Sequence, residues 1–211
     1  MKTLVIVGAG PGISLHTAMK FGEQGFTIAL VARRQEALDQ YAEELKAKNI
    51  EVETFVADAT NPEDLTEAMN HIHNTLGHID GLLYNAASGT PGKPTTLTAT
   101  DLTRDFKINV GGALSSVQSA LPHMKEGFIL LTGGGLALQP YADYSSLAIG
   151  KAGIRNLAYS LHDELQPKGI YVGTLTIKGF VKEGTSLAPN HVAEAFYMMY
   201  ENQSEVESDI H

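Results

Sequence analysis

The chain has 211 residues, 43% of them hydrophobic, and carries 15 basic against 24 acidic side chains, for a formal net charge of −9. That length suits one domain covering residues 1–211, and the apolar content excludes wholesale disorder. The negative charge argues against a general nucleic-acid binder. Because cysteine is absent, disulfide scaffolds, thiolate metal sites and cysteine nucleophiles are also excluded.

The N-terminal segment is short and apolar and runs into a glycine-rich turn, MKTLVIVGAGPG. It ends without the cleavage site of a signal peptide, so we interpret it as a strand. No apolar run approaches the ~18 residues of a membrane-spanning helix. We therefore expect a cytoplasmic protein that does not associate with a membrane.

Apolar strand-like segments alternate with helical patterns along the chain. In order, the predicted elements are strand Thr3–Val7, helix Ile13–Gln24, strand Phe26–Ala32, helix Gln35–Lys48, strand Val52–Val56, helix Pro62–Leu76, strand Gly81–Tyr84, helix Leu102–Lys125, strand Phe128–Thr132, helix Tyr144–Gln166, strand Ile170–Ile177 and helix Val192–Tyr200. The alternation predicts an α/β fold, a doubly wound (Rossmann) parallel sheet with helices on both faces, and we expect seven strands in it although only six segments are identified. The acidic tail Glu201–His211 is predicted to be a solvated terminus without an evident final strand.

The first strand leads into the turn Gly8-Ala9-Gly10-Pro11-Gly12-Ile13. Glycines let a phosphate approach the backbone, and a helix N-terminus attracts its charge. The strict dinucleotide pattern fails because Ile13 occupies the place of its last glycine. A tight turn without a ligand would also need glycine, but the position at the first strand–helix junction favours a dinucleotide site formed by Gly8, Gly10, Gly12 and Ile13.

The second strand ends at Arg33-Arg34, where an acidic residue would favour NAD. Arg33 is instead suited to pair with the 2′-phosphate of NADP, so we expect NADP(H) rather than NAD(H). The alternative is that both arginines are solvated residues at the start of a helix.

Several short motifs follow in a characteristic order: the glycine turn, Asp58-Ala59, Asn85-Ala86-Ala87, Asn109 and Lys151-Ala152. Together they resemble the short-chain dehydrogenase/reductase family over nearly the whole chain. The resemblance implies that Asp58 and Ala59 contact the adenine, and that Asn85 and Ala86 line the cofactor site. It further implies that Asn109 belongs to a proton relay, that Lys151 holds the nicotinamide ribose, and that the chain forms a homodimer or homotetramer.

The sequence departs from the family's Tyr-x3-Lys pair, because Leu147 stands four residues before Lys151. Tyr144 lies seven residues before it, a spacing similar to the divergent enoyl-acyl-carrier-protein reductases. Seven residues turn a helix through about 700°, which would place both side chains on one face, about 10.5 Å apart along the axis. We predict Tyr144 as the proton donor, with Tyr141 a weaker candidate. The alternative is that Tyr144 packs against the sheet or a neighbouring subunit.

The family's catalytic serine would fall near Gly134, within Gly133–Gly135. Thr132 is adjacent but is predicted to point into the sheet, and helical phase turns Ser145 and Ser146 away. The triple glycine would either leave room for a bulkier substrate or let backbone N–H groups polarise a carbonyl.

Two further segments bear on the site. The Gly-, Pro- and Thr-rich segment Ser88–Thr100 is predicted as a loop at the carboxyl end of a strand, where such sheets bind ligands. After Lys178-Gly179, only Phe180–Pro189 precedes the last helix, so little lid is expected. The eight histidines show no metal-binding spacing, and no metal is predicted.

These observations predict an NAD(P)-dependent oxidoreductase that transfers hydride to or from a small or medium carbonyl, alcohol or activated double bond. Tyr144, Lys151 and Asn109 are its predicted catalytic residues. The alternative is a catalytically weak or inactive nucleotide-binding sensor or scaffold on the same fold, since a fold does not determine function.

Overall fold

The computed structural model describes all residues, 1–211, and contains one seven-stranded parallel sheet. The strands are β1 (Lys2–Val7), β2 (Phe26–Ala32), β3 (Val52–Val56), β4 (Gly81–Tyr84), β5 (Gly127–Thr132), β6 (Ile170–Ile177) and β7 (Glu207–Ile210), in the spatial order β3-β2-β1-β4-β5-β6-β7. The order reverses between β1 and β4, so the predicted doubly wound fold is confirmed. Ligands bind such sheets outside the carboxyl ends of the strands at this reversal.

Seven α-helices cover the two faces of the sheet. They are α1 (Ile13–Glu23), α2 (Gln35–Lys46), α3 (Pro62–Leu76), α4 (Ala99–Phe106), α5 (Gly112–Ala120), α6 (Ser145–Leu165) and α7 (Pro189–Asn202). Side chains of α3, α5 and α6 form the apolar core on one face. Side chains of α1, α2 and α7 form the core on the other face. No helix is both long enough and apolar enough to cross a bilayer.

The long helical segment predicted over Leu102–Lys125 is helical in the structure from Ala99 to His123, but it is not one uninterrupted α-helix. The helix α4 starts earlier, at a capping box formed by Thr98 and Asp101, and ends at Phe106. A π-helical turn covers Lys107–Gly111 before α5 begins. Within that turn the Ile108 carbonyl accepts a hydrogen bond from Tyr84 Oη at 2.5 Å. Such turns interrupt α-helices frequently at functional sites.

The prediction that the tail has no strand is also wrong, because its last residues form β7. This strand pairs in parallel with β6, with Thr174 opposite Glu207 and Ile177 opposite Ile210. The carboxylate of Glu207 is held by Arg155 Nε at 2.8 Å and by Thr176 Oγ1 at 2.6 Å. A polar anchor therefore fixes the strand, and hydrophobic periodicity does not reveal it.

Candidate active site

Two cavities lie side by side along the carboxyl edge of the sheet. The first, which we call the β1–β4 cleft, has a volume of about 380 Å³, and its lining includes Gly8, Arg33, Asp58, Ala59, Asn85 and Ala86. The second, which we call the β5–β6 pocket, has a volume of about 540 Å³, and its lining includes Ile13, Gly134, Tyr144, Leu147, Lys151 and Phe180. The structure thus brings most of the sequence-predicted site residues to one edge.

The glycine turn between β1 and α1 is shaped in two different ways. Gly8 has φ +86°, and a Cβ there would clash with the backbone of Ala86. A Cβ at Gly10 or Gly12, in contrast, would have no protein atom within 4 Å. The N-terminus of α1 has no side-chain cap. Gly8 is thus required by packing, whereas Gly10 and Gly12 leave an open cradle at a helix N-terminus, which fits a phosphate group.

Charged groups lie at the outer end of the β1–β4 cleft. Arg33 is exposed and lines the cleft without an ion pair to any carboxylate. Asp58 Oδ1 accepts a hydrogen bond from the Thr60 backbone N–H at 2.8 Å. That hydrogen bond lowers the pKa of Asp58, and the charge of Arg33 adds to the effect. An ionised carboxylate and a free guanidinium therefore face the same cleft.

A chain of hydrogen bonds joins the glycine turn to the β5–β6 pocket through Asn85. Its Nδ2 donates to Ser14 Oγ at 2.8 Å, and Ser14 Oγ donates to the Gly8 carbonyl at 2.8 Å. Its Oδ1 accepts from Thr132 Oγ1 at 2.9 Å. Lys151 Nζ donates to the Thr132 carbonyl at 2.7 Å. The ends of β1, β4 and β5 are consequently held together, and the ammonium of Lys151 is held at the end of β5.

Tyr144 and Lys151 line the same pocket, but not by the expected helical geometry. The helix α6 starts at Ser145, and Tyr144 is its N-cap residue with φ −120° and ψ 28°. Its side chain is 42% exposed, and its ring meets Phe180 edge-on at 6.3 Å between centroids. Tyr144 therefore does not pack against the sheet. Tyr141 lines the same pocket and is more exposed.

Burial lowers the pKa of Lys151 to about 8. No charged group of opposite sign compensates, because Lys151 bonds only to a backbone carbonyl. Leu147 also lines the pocket, so an aliphatic side chain occupies the place from which a tyrosine hydroxyl was expected.

The nearby Ser and Thr hydroxyls are each engaged in another hydrogen bond, although Thr132 itself lines the β5–β6 pocket. Thr132 Oγ1 is bonded to Asn85. Ser145 Oγ donates to the Gly92 carbonyl at 3.0 Å, and Ser146 Oγ donates to Asp105 Oδ2 at 2.8 Å. Among these residues, therefore, no unbonded hydroxyl replaces the serine that the family has at the position of Gly134.

Asn109 lies in the π-helical turn and is buried. Its Oδ1 accepts from the Ser88 N–H at 2.8 Å, and its Nδ2 donates to the Ser88 carbonyl at 2.7 Å. The side chain thus anchors the loop after β4, and its membership of a proton relay stays a prediction.

Sequence reasoning missed Asp105, a fully buried carboxylate next to this loop. It accepts hydrogen bonds from the Thr90 N–H at 2.6 Å, from Ser88 Oγ at 2.8 Å and from Ser146 Oγ at 2.8 Å. Burial alone would raise its pKa, but these hydrogen bonds prevail and lower it to about 2. Asp105 looks like any polar helix residue in the sequence, so no local signal identifies it.

The fold and the site define a dinucleotide-binding protein of the doubly wound class. A family model described as short chain dehydrogenase matches residues 2–191. The oxidoreductase asL5 of Sarocladium schorii is 29% identical over 206 residues, which cover 96% of this chain and 80% of that protein.

Solved structures agree with this classification. A short-chain dehydrogenase from Rhodopseudomonas palustris superposes with a TM-score of 0.89 at 24% identity, covering 100% of this chain and 98% of that one. A dehydrogenase/reductase from Sinorhizobium meliloti gives 0.91 at 20% identity, covering 99% and 93%. These two likenesses show the fold. The family match establishes that the chain belongs to the short-chain dehydrogenase family, and it is an NAD(P)-dependent oxidoreductase.

Proposed function

We propose that this oxidoreductase prefers NADP(H) and acts on a small or medium carbonyl, alcohol or activated double bond, with Tyr144 as the proton donor. The observation that carries the proposal is that Tyr144 and Lys151 line one pocket. The hydrogen-bond chain through Asn85 connects that pocket to the glycine turn. A cofactor that spans both cavities would present its nicotinamide end to these two side chains.

The cofactor assignments follow from the β1–β4 cleft. Gly10 and Gly12, with Ile13 at the start of α1, would hold the phosphates on the helix N-terminus. Asp58 and Ala59, beside the cleft, would contact the adenine end, and Asn85 and Ala86 would form its inner wall. Arg33 is the free cation suited to a 2′-phosphate.

The catalytic roles belong to the chain's own side chains. Bound NADP(H) supplies or accepts a hydride. Lys151 would bind the ribose hydroxyls, and its positive charge would stabilise the phenolate that remains when Tyr144 Oη gives up its proton to the substrate oxygen or carbon. Since the hydroxyls of Thr132, Ser145 and Ser146 are bonded to other groups, backbone N–H groups of the triple glycine are the remaining candidates to polarise a carbonyl.

The decisive experiment measures hydride transfer from NADPH to a panel of aldehydes, ketones and enones by the loss of absorbance at the nicotinamide band. Tyr144→Phe is expected to lose about 100-fold or more in kcat, whereas the matched control Tyr141→Phe stays near wild type. Full activity of Tyr144→Phe would refute its role. Tight NADPH binding without turnover of any panel member would instead support the sensor or scaffold alternative.

The cofactor preference has a separate test. Arg33→Ala is expected to weaken NADPH binding about tenfold or more while leaving NADH binding unchanged, because only NADPH carries the 2′-phosphate. Equal losses for both cofactors, or no loss for either, would contradict the assignment.

We also propose that the chain forms a homodimer or homotetramer through α4, α5 and α6. Exposed apolar side chains on these helices, Phe106, Leu114, Ile149 and Tyr159, support the proposal. Light scattering coupled to size-exclusion chromatography is expected to give an oligomer that Ile149→Asp shifts towards the monomer. A wild-type monomer at micromolar concentration would contradict it.

A further inference from the structure

The three glycines after β5 are constrained in different ways. A Cβ at Gly133 would lie 2.8 Å from the Leu175 carbonyl oxygen, and a Cβ at Gly135 would lie 3.1 Å from the Lys178 Cα. Both positions are crowded by backbone that has little freedom to shift. Gly134 differs, since its Cβ would lie 3.4 Å from the nearest atom, in the side chain of Lys151.

The backbone of Gly134 also tolerates a side chain, because its φ of −177° and ψ of 147° are extended values that any residue adopts. Neither packing nor conformation therefore explains the glycine at this position. A side chain at Gly134 would instead occupy space within the β5–β6 pocket, directly above the stem of Lys151.

The rest of that pocket is largely apolar. Leu136, Leu147 and Val181 line it, and Leu138 and Phe180 extend it at the rim. Leu138 is 51% exposed and Phe180 is 80% exposed, so the chain itself leaves this apolar surface uncovered. The nicotinamide end of the cofactor and the substrate would share the pocket's volume of about 540 Å³, and a lining made mainly of hydrophobic and aromatic side chains is typical of small-molecule sites.

The charges around the pocket disfavour an ionised substrate. Its lining contains no Asp, Glu, Arg or His, and its two cations are Lys151 and Lys178. Lys178 Nζ is paired with Asp209 Oδ2 at 2.6 Å. Lys151 Nζ donates to the Thr132 carbonyl and is the group that would hold the ribose. When the reacting carbonyl lies at Tyr144 and Lys151, an anionic substituent on the opposite side of the ring would have to leave water and face the apolar rim formed by Leu138 and Phe180, which is costly.

We propose that Gly134 determines specificity and that the β5–β6 pocket takes an uncharged substrate with a flat, ring-sized apolar body lying on the Gly134 backbone. The identity of the group that reacts on this substrate rests on the proposed function, whereas the binding of the substrate in the pocket does not. The bare backbone at Gly134 thus provides room for the ring between Lys151 and the apolar rim.

The test uses three probe aldehydes with NADPH: 2-naphthaldehyde, benzaldehyde and 4-carboxybenzaldehyde. Gly134→Val is expected to raise KM for 2-naphthaldehyde about tenfold or more, with a smaller effect on benzaldehyde, because a side chain would fill the ring's place. The wild type should bind 4-carboxybenzaldehyde at least about tenfold more weakly than benzaldehyde, because a carboxylate is desolvated there.

Gly111→Ala is the matched control, since a Cβ there would make an ordinary 3.8 Å contact with Lys107, and neither residue lines the pocket. Its kinetics should equal those of the wild type. If Gly134→Val does not fold, as judged by its melting temperature, Gly134→Ala serves with the same expected direction. An unchanged KM for 2-naphthaldehyde, or tighter binding of the carboxylate, overturns the proposal.

Binding measured by ligand-observed NMR on the NADPH complex separates this inference from the proposed function. If 2-naphthaldehyde binds the wild type, loses affinity in Gly134→Val and is never reduced, the pocket assignment holds and the catalytic proposal fails. If the aldehydes are reduced but Gly134→Val and the wild type have the same preference between 2-naphthaldehyde and benzaldehyde, the catalytic proposal holds and the inference about Gly134 fails.

Discussion

Replacing Asp105 should destabilise the protein through the loop after β4. The carboxylate is fully buried and receives hydrogen bonds from the backbone N–H of Thr90 and from the hydroxyls of Ser88 and Ser146. Asp105→Ala leaves the Ser88 hydroxyl without a partner, and the Thr90 N–H and the Ser146 hydroxyl keep only their contacts with each other's residue, at 3.0 and 3.2 Å. Unsatisfied buried donors cost about 1–3 kcal/mol each, so a total loss of about 3 kcal/mol is expected after partial relaxation.

The pH dependence of the free energy of unfolding gives an independent measure of the contribution of Asp105. The pKa of Asp105 is about 2 in the folded protein, against an ordinary value of 3.8 in the unfolded chain. The ionised carboxylate therefore stabilises the folded protein fully at pH values above 3.8, and this stabilisation is lost as the pH falls through about 2. The difference corresponds to about 2 kcal/mol at pH 7, of which about half is lost by pH 3. Asp105→Asn, which has the same shape, should lose this contribution at every pH.

Urea unfolding at pH 7 and at pH 3, together with thermal melting, measures both effects. For a chain of this size, about 3 kcal/mol lowers the melting temperature by roughly 6–12 °C. Asp101→Ala is the matched control on the same helix. It removes only a partly exposed capping box and should cost about 1 kcal/mol. The reasoning is refuted if Asp105→Ala costs no more than Asp101→Ala, or if the gap between wild type and Asp105→Asn is the same at both pH values.

Three further outcomes are expected. Gly8→Ala should abolish NADPH binding in an equilibrium titration and lower the melting temperature, because φ is +86° and the new methyl group meets the backbone of Ala86; a fully functional variant would contradict this. The value of kcat/KM for NADPH should fall as pH rises through about 8, where Lys151 loses its charge, and a profile that is flat to pH 10 would count against that role. Glu207→Ala should raise amide hydrogen exchange across β7 by removing the partner of Arg155, whereas unchanged protection would show that the anchor is dispensable.

The fold was predictable because its central strands are buried on both faces. Largely apolar runs such as Ile170–Ile177 identify these strands, and the structure gives the same bounds. The strand β7 was not predicted, because Glu207–Ile210 carries only one apolar residue and is held by an ion pair to α6. The π-helical turn around Asn109 was not predicted, because the contact that accompanies it, between Tyr84 of β4 and the Ile108 carbonyl, is not local in sequence.

The candidate site was predictable at positions where the local structure requires a particular residue type or where a short motif marks the end of a strand. Gly8 is required by a left-handed turn, and the motif order placed Asp58 and Asn85 at strand ends. Asp105 was not predictable, because its burial depends on the loop that folds over it. The helix that carries Lys151 was predicted to begin at Tyr144, but it begins at Ser145 and Tyr144 is its N-cap residue. An N-cap and a first helical residue look alike in a sequence.

The reversal of strand order between β1 and β4 also has a thermodynamic consequence. One half of the sheet consists of β3, β2 and β1, and the other of β4 to β7. At the carboxyl edge the side chain of Asn85 bridges these halves by bonding Ser14 on one side and Thr132 on the other. A ligand that occupies both cavities contacts both halves at once, so its binding free energy adds directly to the work of separating them. The join between the halves is therefore where ligand binding should suppress local opening of the protein most strongly.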